Sequence, residues 1–363
     1  MELNLNFFLG LLTGIIPSLH PNNLVNLVNS EELIPIAILH SFINILPNIY
    51  FLVPDINTLI NLHPVYQFYK EGKAMKAVYL SGIASFLGVL FSLFFYYFPF
   101  VFSIYYKVDS FQFILYLNLL LLSVIKDSLI KTFISFLILL FSFITVKTYS
   151  YLFEDKFFLL TGFFGLSSVI SFPKNKIKQN FYFFKEIDLK ETIIFSLLGV
   201  LYAIPANIFP LITPTHLLIL FSLLIYFNKE KSIILISSMN SSDFVLSIIT
   251  KEYFSFSRNY VISKGDLISI KEIIIYSFLS LLILLAFAVF LNYLHNTINR
   301  KLLNLIVILS ILWPLFLDLS LLKIVFLLFS SLLGFLCLKF GIERIILFNA
   351  YIIDYLISHK KWF

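Results

Sequence analysis

The chain has 363 residues, of which 60% are hydrophobic, 18% aromatic and only 13% charged. Soluble globular proteins average about 45–50% apolar and about 25% charged residues, so this composition excludes a soluble globular domain. The net charge is +6, but the basic residues lie in connectors between apolar runs, where they orient membrane spans. We therefore expect membrane lipid around the protein and no nucleic acid as a partner.

The only cysteine, Cys337, lies inside an apolar run. It cannot form an internal disulfide, and a structural metal site built on several cysteines is excluded. We predict no resident metal. The first residues lack a basic n-region and include Glu2, so a cleaved signal peptide is not expected.

Apolar runs able to cross a bilayer follow one another along the chain. A crossing needs about 20 residues, so these runs predict an all-α polytopic protein, a multi-pass protein of the plasma membrane. We expect about ten to twelve transmembrane or re-entrant helices. The runs lie near residues 33–53, 76–104, 111–125, 128–151, 157–172, 192–227, 231–249, 272–294, 302–317, 321–337 and 342–357.

Two apolar stretches, residues 5–28 and 192–227, are interrupted by proline and polar residues. A proline inside a helix removes a hydrogen bond and clashes with the preceding turn. Unwound backbone at membrane depth must face protein or a water-filled cavity, and paired interruptions of this kind indicate a transporter's substrate site. Ordinary kinks are the alternative. The interruptions are Pro17–Asn23, then Pro205–Asn207, Pro210 and Thr213–His216.

The arrangement of elements predicts two related halves. After each interruption come a span, a polar loop (residues 54–75 or 250–271) and another span. We expect a first membrane repeat at residues 1–172, a basic connector at 173–191 acting as a cytoplasmic hinge, and a second repeat with additional C-terminal spans at 192–363. The sequence leaves open whether the repeats are parallel or inverted.

Ionisable residues inside a membrane are costly and are candidates for function. Histidine can carry a proton near neutral pH, which makes His20 and His216 candidate proton carriers, although a histidine can also serve packing or capping. Arg258 suits a carboxylate ligand, or it is a positive-inside anchor. The candidate substrate-binding residues are Pro17, Ser18, His20, Pro21, Asn22, Asn23, Pro205, Asn207, His216 and Arg258.

A second polar cluster, Asn240-Ser241-Ser242-Asp243, lies between two apolar runs. Carbonyl, hydroxyl and carboxylate oxygens are hard ligands, so these four residues are the candidate coupling-ion site. The coupling ion would be Na⁺ or H⁺, with no other cofactor. The alternative is an N-cap, in which Asn or Ser satisfies free amides at a helix start.

Common enzyme motifs are missing from the sequence. It contains no phosphate-binding loop with a following Lys, no Gly-x-Ser-x-Gly and no His-Glu-x-x-His, so we predict a protein that is not an enzyme. Two other classes stay open. One is an intramembrane metal- or His-dependent enzyme acting on a lipid through His20, His40 and His63; the other is a metal-ion transporter using the same histidines.

The run from Gly10 through Gly14 and Pro17 to Asn23 resembles the opening motif of the tripartite tricarboxylate transporter permease family, in its shorter archaeal branch. Further elements similar to that family follow in the same order. They are His40-Ser-Phe, Leu46-Pro47, Val53-Pro54-Asp55, Leu62-His63-Pro64, Glu71-Gly72-Lys73-Ala74, Gly162-Phe-Phe-Gly165, Asn240-Ser-Ser-Asp243 and Ser257-Arg258.

This resemblance implies a secondary active transporter that couples a cation to the uptake of a carboxylate-type organic anion. It also implies a small membrane subunit and an extracytoplasmic binding protein as partners. Ser18 and Ala206 stand where the family usually has glycine. Because glycine allows backbone conformations that serine and alanine resist, the solute could differ from the family's usual one.

Overall fold

The computed structural model describes residues 5–16, 19–52, 62–107, 116, 118, 120–121, 124–153, 157–170, 176–182, 187–209, 212, 216–218, 228–312 and 320–358. Within these ranges the chain is helical and no residue belongs to a β-strand. Seven of the helices so described are long and apolar enough to cross a membrane, and three shorter ones are also apolar. The prediction of an all-α polytopic membrane protein is confirmed.

Eleven of the longer α-helices are numbered here in chain order. They are α1 (Leu9–Ile15), α2 (Ser30–Ile43), α3 (Leu62–Lys70), α4 (Ala74–Leu93), α5 (Leu129–Leu152), α6 (Leu189–Ile208), α7 (Lys229–Phe254), α8 (Ile270–Thr297), α9 (Arg300–Leu312), α10 (Leu321–Phe340) and α11 (Ile345–Ser358).

The chain divides into two compact units. Unit 1 contains Met1–Tyr105 and Asn175–Leu303, and unit 2 contains Tyr106–Lys174 and Asn304–Phe363. Each unit therefore combines a segment from before the basic connector with a segment from after it.

Two helices form the core of unit 1. Helix α2, continued by the π-helical turn Pro47–Phe51, and helix α7 are buried along their apolar lengths. Helices α6 and α8 instead carry large apolar side chains on exposed faces, which suit contact with lipid. A helix buried on all sides is typical of the centre of a bundle, so α2 and α7 are placed to carry buried polar groups.

Small residues let α7 approach α4 and α6 closely. A Cβ added at Gly88 of α4 would lie 2.8 Å from the Ser238 carbonyl oxygen, and one added at Gly199 of α6 would lie 2.7 Å from the Leu235 carbonyl oxygen. Serine hydroxyls connect the same helices, since Ser237 Oγ donates to Ser81 Oγ at 2.8 Å. Small and hydroxylated side chains are typical of tight helix contacts in membranes.

Helices α4, α6 and α7 run in the same direction. At their N-terminal ends, Lys76 pairs with Glu230 at 2.6 Å and Lys231 pairs with Glu191 at 3.0 Å. Near their C-terminal ends, Tyr253 of α7 donates to the Tyr96 carbonyl, which follows α4. Because α6 and α7 are parallel, the chain must return from the end of α6 to the start of α7.

Helices α1, α2 and α8 form a second parallel set. The Asn6 side chain, just before α1, donates to Glu32, and Gly14 packs on Ile43. Ser30 at the start of α2 donates to Asp266, which precedes α8. Residues 16–29 therefore also return between two parallel helices.

The two sets run in opposite directions. Tyr69, which precedes α4, contacts His295 near the end of α8, and Phe86 of α4 contacts Phe278 nearer the start of α8. Helix α4 is therefore antiparallel to α8. Because the helices within each set are parallel, α6 and α7 are likewise antiparallel to α1 and α2.

Part of the basic connector is fixed against unit 1. Gln179 donates to the Tyr69 carbonyl at 3.0 Å and accepts from the Ala74 amide at 3.1 Å. The backbone amide of Gln179 donates to Asn296 Oδ1, and Asn296 Nδ2 donates to the backbone carbonyl of Gln179. Residues 176–182 of the predicted hinge are thus held at the ends of α3, α4 and α8.

An ion pair lies at the same end of these helices. Lys229 donates to Glu71, and this hydrogen bond lowers the pKa of the Glu71 carboxyl below its usual range.

Unit 2 is built around α5, α10 and α11 with a helical segment that changes type twice. The segment runs through Phe157–Leu160, the π-helical turn Thr161–Leu166 and Ser167–Ile170. It lies parallel to α10, since Phe158 contacts Lys323 and Ser167 approaches Gly334.

The first prediction concerns the contact of α4 with α7. We expect Gly88→Ala to lower the free energy of unfolding by about 1–3 kcal/mol, the usual cost of overpacking, because the new methyl meets Ser238 backbone. Gly82→Ala is the matched control, since its methyl meets only the ends of the Leu281 and Leu284 side chains. Thermal unfolding of both purified variants in detergent measures the difference; equal losses would contradict this packing.

The second prediction concerns the connector. Gln179→Ala removes the side-chain bonds that hold residues 176–182, so we expect trypsin to cleave after Lys176 or Lys178 several-fold faster than in the wild type. Asn180→Ala is the control, because Asn180 is held by its backbone amide, which donates to the Gly72 carbonyl at 2.8 Å. Cleavage at the wild-type rate in Gln179→Ala would show that these bonds do not hold the connector.

Candidate functional site

A buried carboxylate lies in the middle of α7. Asp243 has 4% of its surface exposed, accepts a hydrogen bond from Asn207 Nδ2 at 2.9 Å and pairs with Arg258 Nη1 at 3.4 Å. Helix α7 is continuous over 26 residues, so the N-cap alternative for residues 240–243 is wrong. A carboxylate inside a membrane-embedded helix is costly, and here a guanidinium and an amide compensate it.

The position of Arg258 follows from a reversal of the chain. Helix α7 ends at Phe254, and the next residue, Ser255, caps it with a left-handed φ of 53°. The chain then turns back toward the helix. Arg258 Nη1 donates to the carbonyl oxygens of Ala206, at 2.8 Å, and Ile212. In a continued α-helix, the Ala206 carbonyl would accept from residue 210, which is proline and has no N–H. The guanidinium replaces that donor.

Asn207 joins α6 to α7. Its Nδ2 donates to Asp243, and its Oδ1 accepts from Ser247 Oγ at 2.8 Å. Helix α6 passes through Pro205 and ends at Ile208, so the predicted interruption at Pro205–Asn207 is helical and the helix ends one residue after it. Both predicted residues lie in its last turn, next to the carbonyls that Arg258 binds.

Asn240 lies one helical turn before Asp243 on the same face of α7. It is 3% exposed, and its Oδ1 has no hydrogen-bond partner among the residues that the structure describes. A buried polar oxygen without a partner is unfavourable. Such an oxygen could accept a hydrogen bond from a neutral carboxyl group or ligate a cation.

Ser241 and Ser242 face a different helix. Ser241 Oγ donates to the Ser85 carbonyl at 2.8 Å, and Ser242 Oγ donates to the Gly88 carbonyl at 3.3 Å, both in α4. The structure thus separates the four predicted coupling-ion residues onto two faces of α7. Asp243 contacts Asn207 and Arg258, whereas Ser241 and Ser242 donate to α4.

The first interruption brings two histidines together. The rings of His20 and His40 lie 4.8 Å apart, and the His20 Nδ1 accepts from the Asn22 amide at 3.2 Å. His40 Nδ1 lies 3.2 Å from Thr13 Oγ1, while its buried Nε2 has no partner in the described part of the chain.

The other predicted residues of this region are placed in part. Pro21 and Asn22 form the short 3₁₀ turn Pro21–Leu24. Pro17, Ser18 and the side chain of Asn23 lie outside the described residues, as does the side chain of His63. His216 is buried in unit 1.

One loop reaches both interruptions. Arg258 binds carbonyls at the end of α6, and the short helix Tyr260–Lys264 that follows contacts both α2 and the turn Pro21–Leu24. The two predicted interruptions therefore adjoin the same loop. Sequence reasoning missed Ser247 and Thr13; the spacing of Ser247 from Asp243, four residues along a helix, could have indicated it.

No group of three or more His, Cys, Asp or Glu side chains suited to a metal ion occurs among the residues that the structure describes. The His20–His40 pair brings two such ligands together, with His63 not placed. Among the described residues, no third side chain joins His20 and His40 to support a metal enzyme or a metal transporter.

The comparison with known sequences decides the family. The profile of the tripartite tricarboxylate transporter TctA family matches residues 3–210, more than half of the 363-residue chain. The chain belongs to the tripartite tricarboxylate transporter TctA family. The family is one of transporters and not of enzymes, as the sequence predicts, and the multi-pass membrane assignment agrees with it. Asp243 and Arg258 lie beyond the matched segment.

A relative of this TctA-family protein is an uncharacterized protein of Methanocaldococcus jannaschii. It is 27% identical over 184 residues, which are 46% of this chain and 41% of the relative. The chain therefore spans less than half of the length of the curated relative that it matches. No solved structure matches the chain.

The third prediction concerns the buried pair of Asp243 and Arg258. Asp243→Asn leaves Arg258 without its counter-charge, and Arg258→Gln leaves the carboxylate without its guanidinium. Removing one partner of a buried pair costs about 3–5 kcal/mol, so we expect each variant to be destabilised by that order. The double variant should lose less than the sum, as measured by thermal unfolding in detergent.

The control for this cycle is Glu191→Gln, which removes one partner of the partly exposed pair with Lys231. A pair of this kind contributes up to about 1 kcal/mol. Strictly additive losses from the Asp243 and Arg258 changes would contradict a direct interaction between them.

Proposed function

We propose that this protein is a secondary active transporter that couples Na⁺ or H⁺ to the uptake of a carboxylate-type organic anion. The family description supports transport. The observation that carries the proposal is the buried network of Asp243, Asn207 and Arg258 where α6 ends inside unit 1. Charged groups of this kind inside membrane proteins mark solute and ion pathways.

The ion pair suggests how coupling works. Because Asp243 neutralises Arg258, the guanidinium does not offer a full charge to an anionic solute in this state. A proton or Na⁺ bound at Asp243 cancels the carboxylate charge and weakens the pair. Arg258 then becomes available to a solute carboxylate, which it can bind through two parallel hydrogen bonds. Cation and solute would therefore each raise the affinity for the other.

Asn240 fits the same scheme. Asn240 lies one helical turn before Asp243, and its Oδ1 has no partner in the described structure. This oxygen could accept a hydrogen bond from the neutral Asp243 carboxyl group or ligate Na⁺. In this scheme Asp243 and Asn240 form the coupling-ion site. Ser241 and Ser242 are candidates for the coupling-ion site on sequence grounds alone, because both hydroxyls donate to α4.

We also propose that residues 1–172 and 192–363 are inverted repeats. The corresponding elements are α1 and α6, which precede the returns, then α2 and α7, then α4 and α8. Their directions support the proposal, since α1 and α2 run opposite to α6 and α7, and α4 runs opposite to α8. Inverted repeats allow alternating access by exchange of the two halves' conformations.

The solute site would lie around the two interruptions that the loop 255–264 contacts. The remaining predicted residues there, including Pro17, Ser18, His20, Asn22, Asn23 and His216, stay candidates for solute binding. As partners we propose a small membrane subunit and an extracytoplasmic binding protein, because the family is described as tripartite.

The test is a binding measurement that needs no partner subunit. Purified protein in detergent is screened by thermal shift against di- and tricarboxylates, with and without Na⁺, at two pH values. We expect one class of carboxylate to stabilise the wild type, more strongly when Na⁺ or H⁺ is supplied. Arg258→Gln should lose the cation-dependent part of the shift.

Asp243→Asn is the informative variant, because its neutral side chain imitates the cation-bound state. We expect it to bind the solute with an affinity that no longer depends on Na⁺ or pH. Glu71→Gln, at the exposed end of the unit, is the control and should behave as the wild type. A wild type indifferent to every carboxylate, with either cation, would refute the proposal.

A further inference from the structure

Unit 2 contains a buried guanidinium that the proposed function does not use. Arg344 lies between α10 and α11 and is 3% exposed. Its Nη1 donates to the Phe164 carbonyl at 3.1 Å and to the hydroxyls of Ser167 at 3.2 Å and Ser168 at 2.6 Å. Its Nη2 has no hydrogen-bond partner among the residues that the structure describes.

The oxygens that accept from Nη1 all belong to the helical segment that packs on α10. The Phe164 carbonyl lies within the π-helical turn Thr161–Leu166, and Ser167 and Ser168 follow that turn directly. Such π-helical turns occur often at functional sites. The segment packs closely on α10, since a Cβ added at Gly334 would lie 2.3 Å from the Phe163 carbonyl oxygen. With Nη1 fixed in this way, the direction of Nη2 is fixed too.

The charge of Arg344 is not compensated within the described part of unit 2. No carboxylate there lies within ion-pair distance of it, and the adjacent Glu343 pairs instead with Lys126 at 3.5 Å. Arginine stays protonated in proteins, and a buried charge without a partner is strongly unfavourable. An anion that brings the missing charge and accepts from Nη2 would satisfy both needs.

We propose that Arg344 is an anion site for an oxoanion, either a carboxylate or a phosphate, bound through Nη2. The site belongs to unit 2, whereas the Asp243–Arg258 network belongs to unit 1. Two sources could supply this chemistry: a free solute such as a dicarboxylate or inorganic phosphate, and the headgroup of an anionic lipid. Arginine suits both, because its planar N–H groups match the spacing of carboxylate and phosphate oxygens.

The test uses the purified full-length protein in detergent, without Na⁺. Succinate, citrate and inorganic phosphate are titrated in one set, and phosphatidylglycerol in mixed micelles in another, with binding followed by thermal shift and calorimetry. We expect saturable binding in one set by the wild type. Arg344→Gln should weaken it at least tenfold, and Arg344→Lys, which keeps the charge but has no second guanidinium nitrogen, at least fivefold.

Lys126→Gln is the matched control, because it removes a neighbouring cation that is already paired with Glu343. The affinity of this variant for the anion should stay within twofold of the wild type. Binding in the lipid set alone would identify the oxoanion as a headgroup. The proposal fails if the wild type binds nothing in either set, or if both Arg344 variants bind as the wild type does. Should Arg344→Gln not fold, Arg344→Lys decides.

Arg258→Gln separates this site from the proposed transport site. If Arg258→Gln abolishes all binding and the Arg344 variants abolish none, the inference about Arg344 is wrong while the proposed function stands. If binding in Na⁺-free buffer depends on Arg344 and not on Arg258, the inference holds whatever the outcome for transport.

Discussion

The architecture around the candidate site depends on one hydrogen bond, in which the Arg258 side chain donates to a backbone carbonyl at the end of α6. Pro210 has no N–H to give to the Ala206 carbonyl, and Arg258 supplies that hydrogen bond from another part of the chain. The same nitrogen pairs with Asp243. The end of α6, the loop after α7 and the buried carboxylate are therefore held by one guanidinium. Any change of charge at Asp243 acts directly on the group that completes the helix end.

Composition and apolar runs predicted the all-helical membrane class, and the resemblance of the motifs predicted the family. The polar residues around this network were predicted because proline and polar interruptions are local properties of the sequence. It did not predict that α6 continues through Pro205. One proline removes a single hydrogen bond, and the packing of Asn207 on α7 can outweigh that loss. Nor did it predict which face each of residues 240–243 presents, because neighbouring helices determine this. The pairing of Arg258 with Asp243 depends on the turn at Ser255, whose left-handed backbone has no clear sequence signal.

The helix directions connect the fold to the proposed mechanism. In unit 1, α4, α6 and α7 run one way and α1, α2 and α8 run the other. Each of these two sets includes a parallel pair whose chain must return between its members. The two returns contain the interruptions seen in the sequence. A return at membrane depth needs partners for its backbone groups, and the loop 255–264 supplies contacts to both. Arg344 presents the same physical problem in unit 2, where its buried Nη2 has no acceptor among the described residues.

The division of the chain has a consequence for biosynthesis. Helix α4 reaches its packing partner α7 only across about 150 residues, as the Ser81–Ser237 contact, 156 positions apart, illustrates. This contact cannot form until α7 has been translated, so α4 is in the membrane before its packing partner exists. During that time the serines and glycines of α4 can pack against non-native helices. This nascent protein should therefore depend on membrane chaperones more than one whose halves fold separately.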